Sequence, residues 1–231
     1  MLALNEVRFQ WPGSDAFALT IESFQLASGE KLFLKGPSGS GKSTLLSLIC
    51  GIVAADSGSI VIDGTDLMRL SASQADRLRA DKIGIIFQQF NLLPYGSLVQ
   101  NVMLPLQFSR ARRLRASSKG PVEEEAARLL VRLGLPPELF MRGVGRLSIG
   151  QQQRVAVARA MIGSPRLIIA DEPTSALDSD SRDEFLQLLL EETSRVDASL
   201  ILVSHDQSLA PAFDRRMDIG DIATTQAPGV I

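Results

Sequence analysis

The stretch Lys31-Leu-Phe-Leu-Lys-Gly-Pro-Ser-Gly-Ser-Gly-Lys-Ser-Thr44 runs from a short apolar segment into a turn rich in glycine and serine. Its second part, Gly36 to Thr44, fits the pattern G-x-x-x-x-G-K-[ST]. An apolar, helix-length stretch from Lys42 to Gly51 follows at once, with Gly51 as its stop. Strand, tight turn and helix, in that order, are the setting in which this pattern holds phosphate. Gly39 and Gly41 let backbone N–H groups close around phosphate oxygens with no Cβ in the way. The helix that opens near Lys42 adds the positive end of its dipole. Lys42 supplies a point charge to the β- and γ-phosphates, and the Ser43 hydroxyl is placed to ligate Mg²⁺. The pattern therefore predicts that Gly36, Pro37, Ser38, Gly39, Ser40, Gly41, Lys42, Ser43 and Thr44 wrap a nucleoside triphosphate. It leaves open a kinase, a GTPase, a motor or a transporter ATPase.

Outward from this loop the chain alternates. Val7, Phe9 and Trp11 sit two apart, as do Phe17, Leu19 and Ile21, which predicts half-buried strands. Ser59 to Ile62 reads as a strand closed by the Asp63-Gly64 turn, and Ile83 to Phe87 as a buried strand. From about Ser97 to Ser164 the pattern turns helical, with helices at Val122–Leu133 and Ile149–Ile162. Leu167 to Ala170 and Ser199 to Val203 are continuous apolar runs flanking a helical segment from Arg182 to Thr193. Continuous apolar strands alternating with helices predict a sheet covered on both faces, an α/β core with a helical subdomain inserted into it.

Leu167-Ile-Ile-Ala-Asp171-Glu172 ends such a strand in two carboxylates. Ligands in parallel α/β sheets sit at the carboxyl ends of strands. Asp171 is thus expected to face the same phosphates and hold Mg²⁺, and Glu172 to polarise an attacking water as general base.

Composition narrows the rest. The 231 residues include 24 Lys plus Arg and 26 Asp plus Glu, so the balance gives no reason to expect a nucleic-acid partner. One cysteine, Cys50, excludes an intramolecular disulfide, and its apolar neighbours mark it as a small buried hydrophobe. One histidine, His205, excludes a multi-histidine metal site. Met1 to Arg8 does not resemble a secretory signal, and no segment has the ~20 apolar residues of a spanning helix. A cytosolic chain is expected, which leaves room for work at a membrane through a partner. The basic run Arg110, Arg112, Arg113, Arg115 and Lys119, followed by Glu123-Glu-Glu125, reads as a solvated helix or loop with compensating charge. Contact with anionic lipid headgroups is the alternative.

Leu147-Ser-Ile-Gly-Gln-Gln-Gln-Arg154, Ala170-Asp-Glu-Pro-Thr-Ser-Ala-Leu-Asp178 and Val203-Ser-His-Asp206, taken with the phosphate loop, resemble the ATP-binding cassette (ABC) ATPases. The resemblance runs from Val7 to about Asp218 and keeps the family's order of elements. It implies a P-loop NTPase core with a mixed or parallel sheet, an N-terminal antiparallel β subdomain and an inserted α-helical subdomain. It implies one domain over 1–231, with about 1–87 and 165–231 forming a RecA-like core plus β subdomain. About 88–164 is then the helical subdomain with the signature. It also implies roles: Trp11 stacks on adenine, Gln88 reaches Mg²⁺ and the attacking water, and His205 contacts the γ-phosphate. Ser148, Gly150 and Gln151 match the signature that binds the γ-phosphate of ATP held by a second subunit, and Asp178 matches an aspartate that touches that subunit. The family usually has Gly where this chain has Ile149, a position whose helical φ tolerates a Cβ. Ser148 is itself a good helix N-cap.

The interval between Lys42 and Ser148 holds no long heptad run, and the chain holds one cassette, which argues against the repair and translation types. Phe87 to Pro94 and Asn101 to Pro105 resemble the lipoprotein-releasing, macrolide-exporting and cell-division ATPases; amino-acid importers share much of this pattern. The expected cofactors are ATP and Mg²⁺. The expected partners are a second copy of the chain and a membrane permease docking near the Gln88 loop, which would hold the chain on the inner face of the membrane.

Overall fold

The computed structural model describes residues 1–12, 18–175 and 177–226. Phe17 and Ala176, which belong to the first alternation and to the acidic motif, lie outside the described residues.

The chain opens with β1 (Leu2–Gln10), β2 (Ala18–Leu26) and β3 (Lys31–Lys35), then α1 (Lys42–Ile49), β4 (Ser57–Ile62) and β5 (Thr65–Asp66). Next come α2 (Ala72–Lys82) and β6 (Ile83–Ile86), followed by α3 (Leu98–Met103), α4 (Arg110–Ala116), α5 (Val122–Arg132) and α6 (Ile149–Met161). The last part holds β7 (Leu167–Asp171), α7 (Ser179–Arg195), β8 (Ser199–Val203), β9 (Arg215–Asp218), α8 (Ile219–Ile222) and β10 (Thr224–Gln226).

Two sheets form. One is antiparallel in the order β10-β2-β1-β4-β5, and the other is parallel in the order β6-β7-β8-β3-β9. The inner strands β7, β8 and β3 are apolar over most of their length because both their faces are covered, while the edge strand β9 is polar. Phe33, Ile168, Ala170, Leu200 and Leu202 pack with α3, α5 and α6, while their neighbours Leu32, Leu34, Leu167, Ile169, Ile201 and Val203 pack with α1 and the antiparallel sheet. Alternate residues of these strands thus feed two different cores, one on each face of the sheet.

In β1, Leu2 and Leu4 are buried, and so are Val7 and Phe9, although the two pairs differ in parity. The register against β4 shifts between Asn5 and Arg8, and Glu6 has φ 50°. This bulge returns the apolar side chains to the core face. Gly58 faces it, and a Cβ there would overlap the Glu6 carbonyl. The Asp63-Gly64 turn takes φ 49° and 78°, the left-handed pair that joins β4 to β5.

Three expectations need adjustment. The helix expected at Arg182–Thr193 starts earlier, at Ser179, because Asp178 caps it. α2 and α4 were not expected as separate elements. α2 buries no residue, so it carries no apolar stripe to read; its signal is the capping box of Ser71 and Gln74. The basic run is not uniformly a solvated face. Arg112 is 2% exposed, and Arg115 pairs with Asp81 at 2.8 Å and donates to the Gly163 carbonyl. Burial pushes the Arg112 pKa down to about 9, with Arg115 reinforcing and Asp81 opposing the shift. The guanidinium is still a cation at neutral pH.

Candidate functional site

β3 ends at Lys35, and the loop Gly36 to Gly41 leads into α1. Gly39 and Gly41 take φ 77° and 95°, left-handed values open to glycine at little cost. Gly41 is the N-cap of α1, so the first N–H groups of the helix open onto the loop. The Lys42 ammonium donates to the Gly36 carbonyl at 2.6 Å and the Pro37 carbonyl at 2.8 Å. That fixes the charge and leaves its third N–H toward the cleft. The Ser40 hydroxyl is buried without a hydrogen-bond partner.

Opposite lies the end of β7. Burial raises the Asp171 carboxyl above its ordinary value, and the Lys42 charge opposes the rise. Glu172 follows with φ 46° and donates its N–H to the Val203 carbonyl at 2.9 Å. Its Oε1 lies 3.1 Å from His205 Nε2 without hydrogen-bond geometry, and its Oε2 accepts the His205 N–H at 3.4 Å. His205 follows β8, the strand beside β7, so the parallel sheet itself brings the two residues together.

Trp11 ends the run from β1. Its ring meets Phe9 edge to face, with centroids 5.0 Å apart, and its Nε1 donates to Thr44 Oγ1 at 3.4 Å. The indole is 40% exposed, so a flat face is held beside α1 and open to a ligand.

Trp11, Ser38, Gly39, Gly41, Lys42, Ser43, Thr44, Gln88, Asp171, Glu172, Ser175 and His205 line one cleft of about 560 Å³. Among these, Ser175 carried no expectation of its own; it lies within the quoted acidic motif. Gly36, Pro37 and Ser40 do not line the cleft; the Gly36 and Pro37 carbonyls hold the Lys42 ammonium that does. A Cβ on Gly36 would overlap Ile219.

Ser148, Gly150, Gln151 and Asp178 do not line the cleft either. Ser148 caps α6 in a reciprocal pair: Gln151 N–H donates to its Oγ at 3.2 Å, and its own N–H donates to Gln151 Oε1 at 3.0 Å. Gly150 has open space where a Cβ would be, and Ile149 is 50% exposed. Asp178 accepts from the Ser181 N–H and hydroxyl, both at 3.0 Å, and these bonds hold its carboxyl below the ordinary range. Gln153, one turn along α6, is buried and donates to the Pro173 carbonyl; nothing in its sequence position distinguished it from its two glutamine neighbours.

The oxygen donors Ser43, Gln88 and Asp171 suit a hard cation of the Mg²⁺ kind, which is commonly held by one or two carboxylates plus substrate phosphates. Among the described residues no cluster of three His, Cys, Asp or Glu could hold a metal without such help. None of the described helices is long and apolar enough to cross a membrane.

A profile of the family described as "ABC transporter" matches residues 19–175. The chain belongs to the ABC transporter ATPases. The cassette is 38% identical over 199 residues to a lipoprotein-releasing system ATP-binding protein, LolD 2, of Rhodospirillum rubrum, covering 86% of this chain and 84% of the relative. It is 39% identical over 223 residues to a probable syringafactin export ATP-binding/permease protein, SyfD, of Pseudomonas syringae, covering 96% of this chain. It is 41% identical over 199 residues to a macrolide export ATP-binding/permease protein, MacB, of Syntrophobacter fumaroxidans, covering 86% of this chain. The cassette spans 33% and 27% of the length of those last two proteins. The dimeric ATP-binding cassette MJ0796, in a post-hydrolysis state bound to ADP and Pi, superposes with TM-score 0.80 at 31% identity over 98% of both chains. The fold expectation is borne out: a P-loop α/β core, an antiparallel β sheet and packed helices.

Proposed function

We propose that this cassette is the ATP-hydrolysing nucleotide-binding subunit of a bacterial membrane complex of the lipoprotein-release or macrolide-export kind, in which hydrolysis drives a mechanical change in a partner. The observation that carries the reading is the convergence of Lys42, Asp171, Glu172, Gln88, His205 and Trp11 on one cleft.

On this reading Trp11 stacks on adenine, and the loop Gly36 to Thr44 wraps the phosphates with Lys42 on the β and γ groups. Ser43, Asp171 and Gln88 would hold Mg²⁺, which neutralises charge on the phosphates when bound. Glu172 accepts a proton from the attacking water, and Gln88 orients that water. His205 donates to the γ-phosphate from beside Glu172. The place of Glu172 in the cleft, one residue after Asp171, supports its role toward water.

Ser148, Gly150, Gln151 and Asp178 stand apart from the cleft of their own chain. That supports a second copy as the owner of the ATP they contact, in a dimer closed on two nucleotides. The helical stretch of about 88–164 then acts as the subdomain that presents the signature.

A groove of about 590 Å³ begins beside Gln88, lined by Phe87, Asn91, Leu104, Pro105 and Phe108. It supports docking of a permease segment there, which would hold the cassette on the cytoplasmic face of a membrane.

Steady-state phosphate release from MgATP tests the reading. Glu172→Gln is expected to lower kcat by about 10²–10⁴-fold, the range for loss of a general base, while ATP affinity stays within about threefold of the native value. A Glu172→Gln protein that hydrolyses at the native rate contradicts it.

A further inference from the structure

Arg112 belongs to α4, yet its guanidinium is buried against α2, the start of β6 and the end of α6. All its donor nitrogens end on backbone carbonyls. Nε donates to Ile162 at 2.6 Å; Nη1 to Ala80 at 3.4 Å and Ile83 at 3.2 Å; Nη2 to Arg159 at 3.4 Å and to Ala160. A guanidinium has five N–H donors, and this one has five acceptors around it. Ala80 lies in the last turn of α2, and Arg159 and Ala160 in the last turn of α6. These are the negative ends of two helices, where a cation is favoured. Gly163 lets the side chain through, since a Cβ there would overlap Arg112.

The same last turn of α6 carries Arg159, itself buried. Its Nη1 donates to the Asn91 carbonyl at 2.7 Å and its Nη2 to the Phe90 carbonyl. Phe90 and Asn91 sit at φ 56° and 48°. Two successive non-glycine residues in the left-handed region persist only where their surroundings hold them. They come directly after Gln88 and Gln89. A continuous set of contacts thus runs from Arg112 to the last turn of α6, through Arg159, to the loop that presents Gln88 to the cleft.

We propose that Arg112 is a positioning residue for hydrolysis: by fixing the last turn of α6 it fixes Arg159, which in turn holds the Gln88 loop in its working shape. Arg112 touches neither the cleft nor the phosphate loop, so ATP binding does not depend on it. The proposal rests on the reading that Gln88 serves hydrolysis.

The test uses the full chain with Arg112→Leu, Gln88→Ala and the double variant, measuring kcat for MgATP and ATP affinity from Trp11 fluorescence. Arg112→Leu is expected to lower kcat about tenfold or more, as misplacement of a catalytic group does, with affinity within about threefold of native. In the Gln88→Ala background it is expected to change kcat by less than about twofold, because residues acting through one another are not additive. A merely structural role gives the opposite result, the same fold-loss in both backgrounds, and overturns the proposal. So does a native kcat for Arg112→Leu, or an affinity that falls along with kcat. If Arg112→Leu does not fold, Arg112→Lys carries the same comparison: with three donors for five carbonyls it should show a smaller loss that again vanishes beside Gln88→Ala. A native kcat for Gln88→Ala overturns the underlying reading of Gln88. An impaired Gln88→Ala with additive Arg112 losses overturns the clamp alone.

Discussion

Glu172 carries its carboxylate on a left-handed backbone, a posture that costs about 1–3 kcal/mol and that its N–H bond to Val203 helps to hold. The turn brings the carboxylate to His205 and into the cleft beside Asp171. Trp11 offers a second handle at this scale, because the chain has one tryptophan. ATP is expected to change its fluorescence on binding. Trp11→Ala is expected to weaken ATP binding about three- to tenfold, equivalent to roughly 0.5–1.5 kcal/mol of ring stacking, and Trp11→Tyr to restore most of it; titration calorimetry of the variants checks this. That Lys42, Asp171 and His205 meet in one cleft was legible in the sequence, because the loop and the strand ends fix their places. Arg112 was not. A run of arginines reads as solvated, and which member turns inward depends on what the tertiary structure lays over the helix.

The elements divide in the same way. β3, β7 and β8 were readable because a strand covered on both faces is apolar at nearly every inner position. α6 was readable from its Ser148 cap and its stop at Gly163. α2 was not readable from periodicity, since it packs no buried side chain, and the bulge at Glu6 left no trace beyond a change of parity in β1. β6 and α6 meet closely at Gly84, where an added Cβ would overlap the Ala160 carbonyl and crowd Ile168. Gly84→Ala is expected to destabilise by about 1–3 kcal/mol through this overpacking. In a chain of this size each kcal/mol lowers Tm by about 2–4 °C, so thermal unfolding followed by circular dichroism checks it. An unchanged Tm would mean that the strand and helix are free to separate at no cost.

At the scale of the molecule, the parallel sheet divides two hydrophobic cores and collects Gln88, Asp171, Glu172 and His205 at one edge, beside the phosphate loop. The capped N-termini of α6 and α7, with Ser148 and Asp178, lie outside that cleft. Ser148 and Asp178 were legible as motif residues, and only the family resemblance implied their separation from Lys42, because spacing along a chain says nothing of distance across a sheet. On the proposed scheme a second chain brings a signature to each ATP. Light scattering on the Glu172→Gln protein tests this most directly. With saturating MgATP the expected mass is that of two chains, and without nucleotide that of one; a single-chain mass at MgATP concentrations that saturate the Trp11 signal would contradict the shared site.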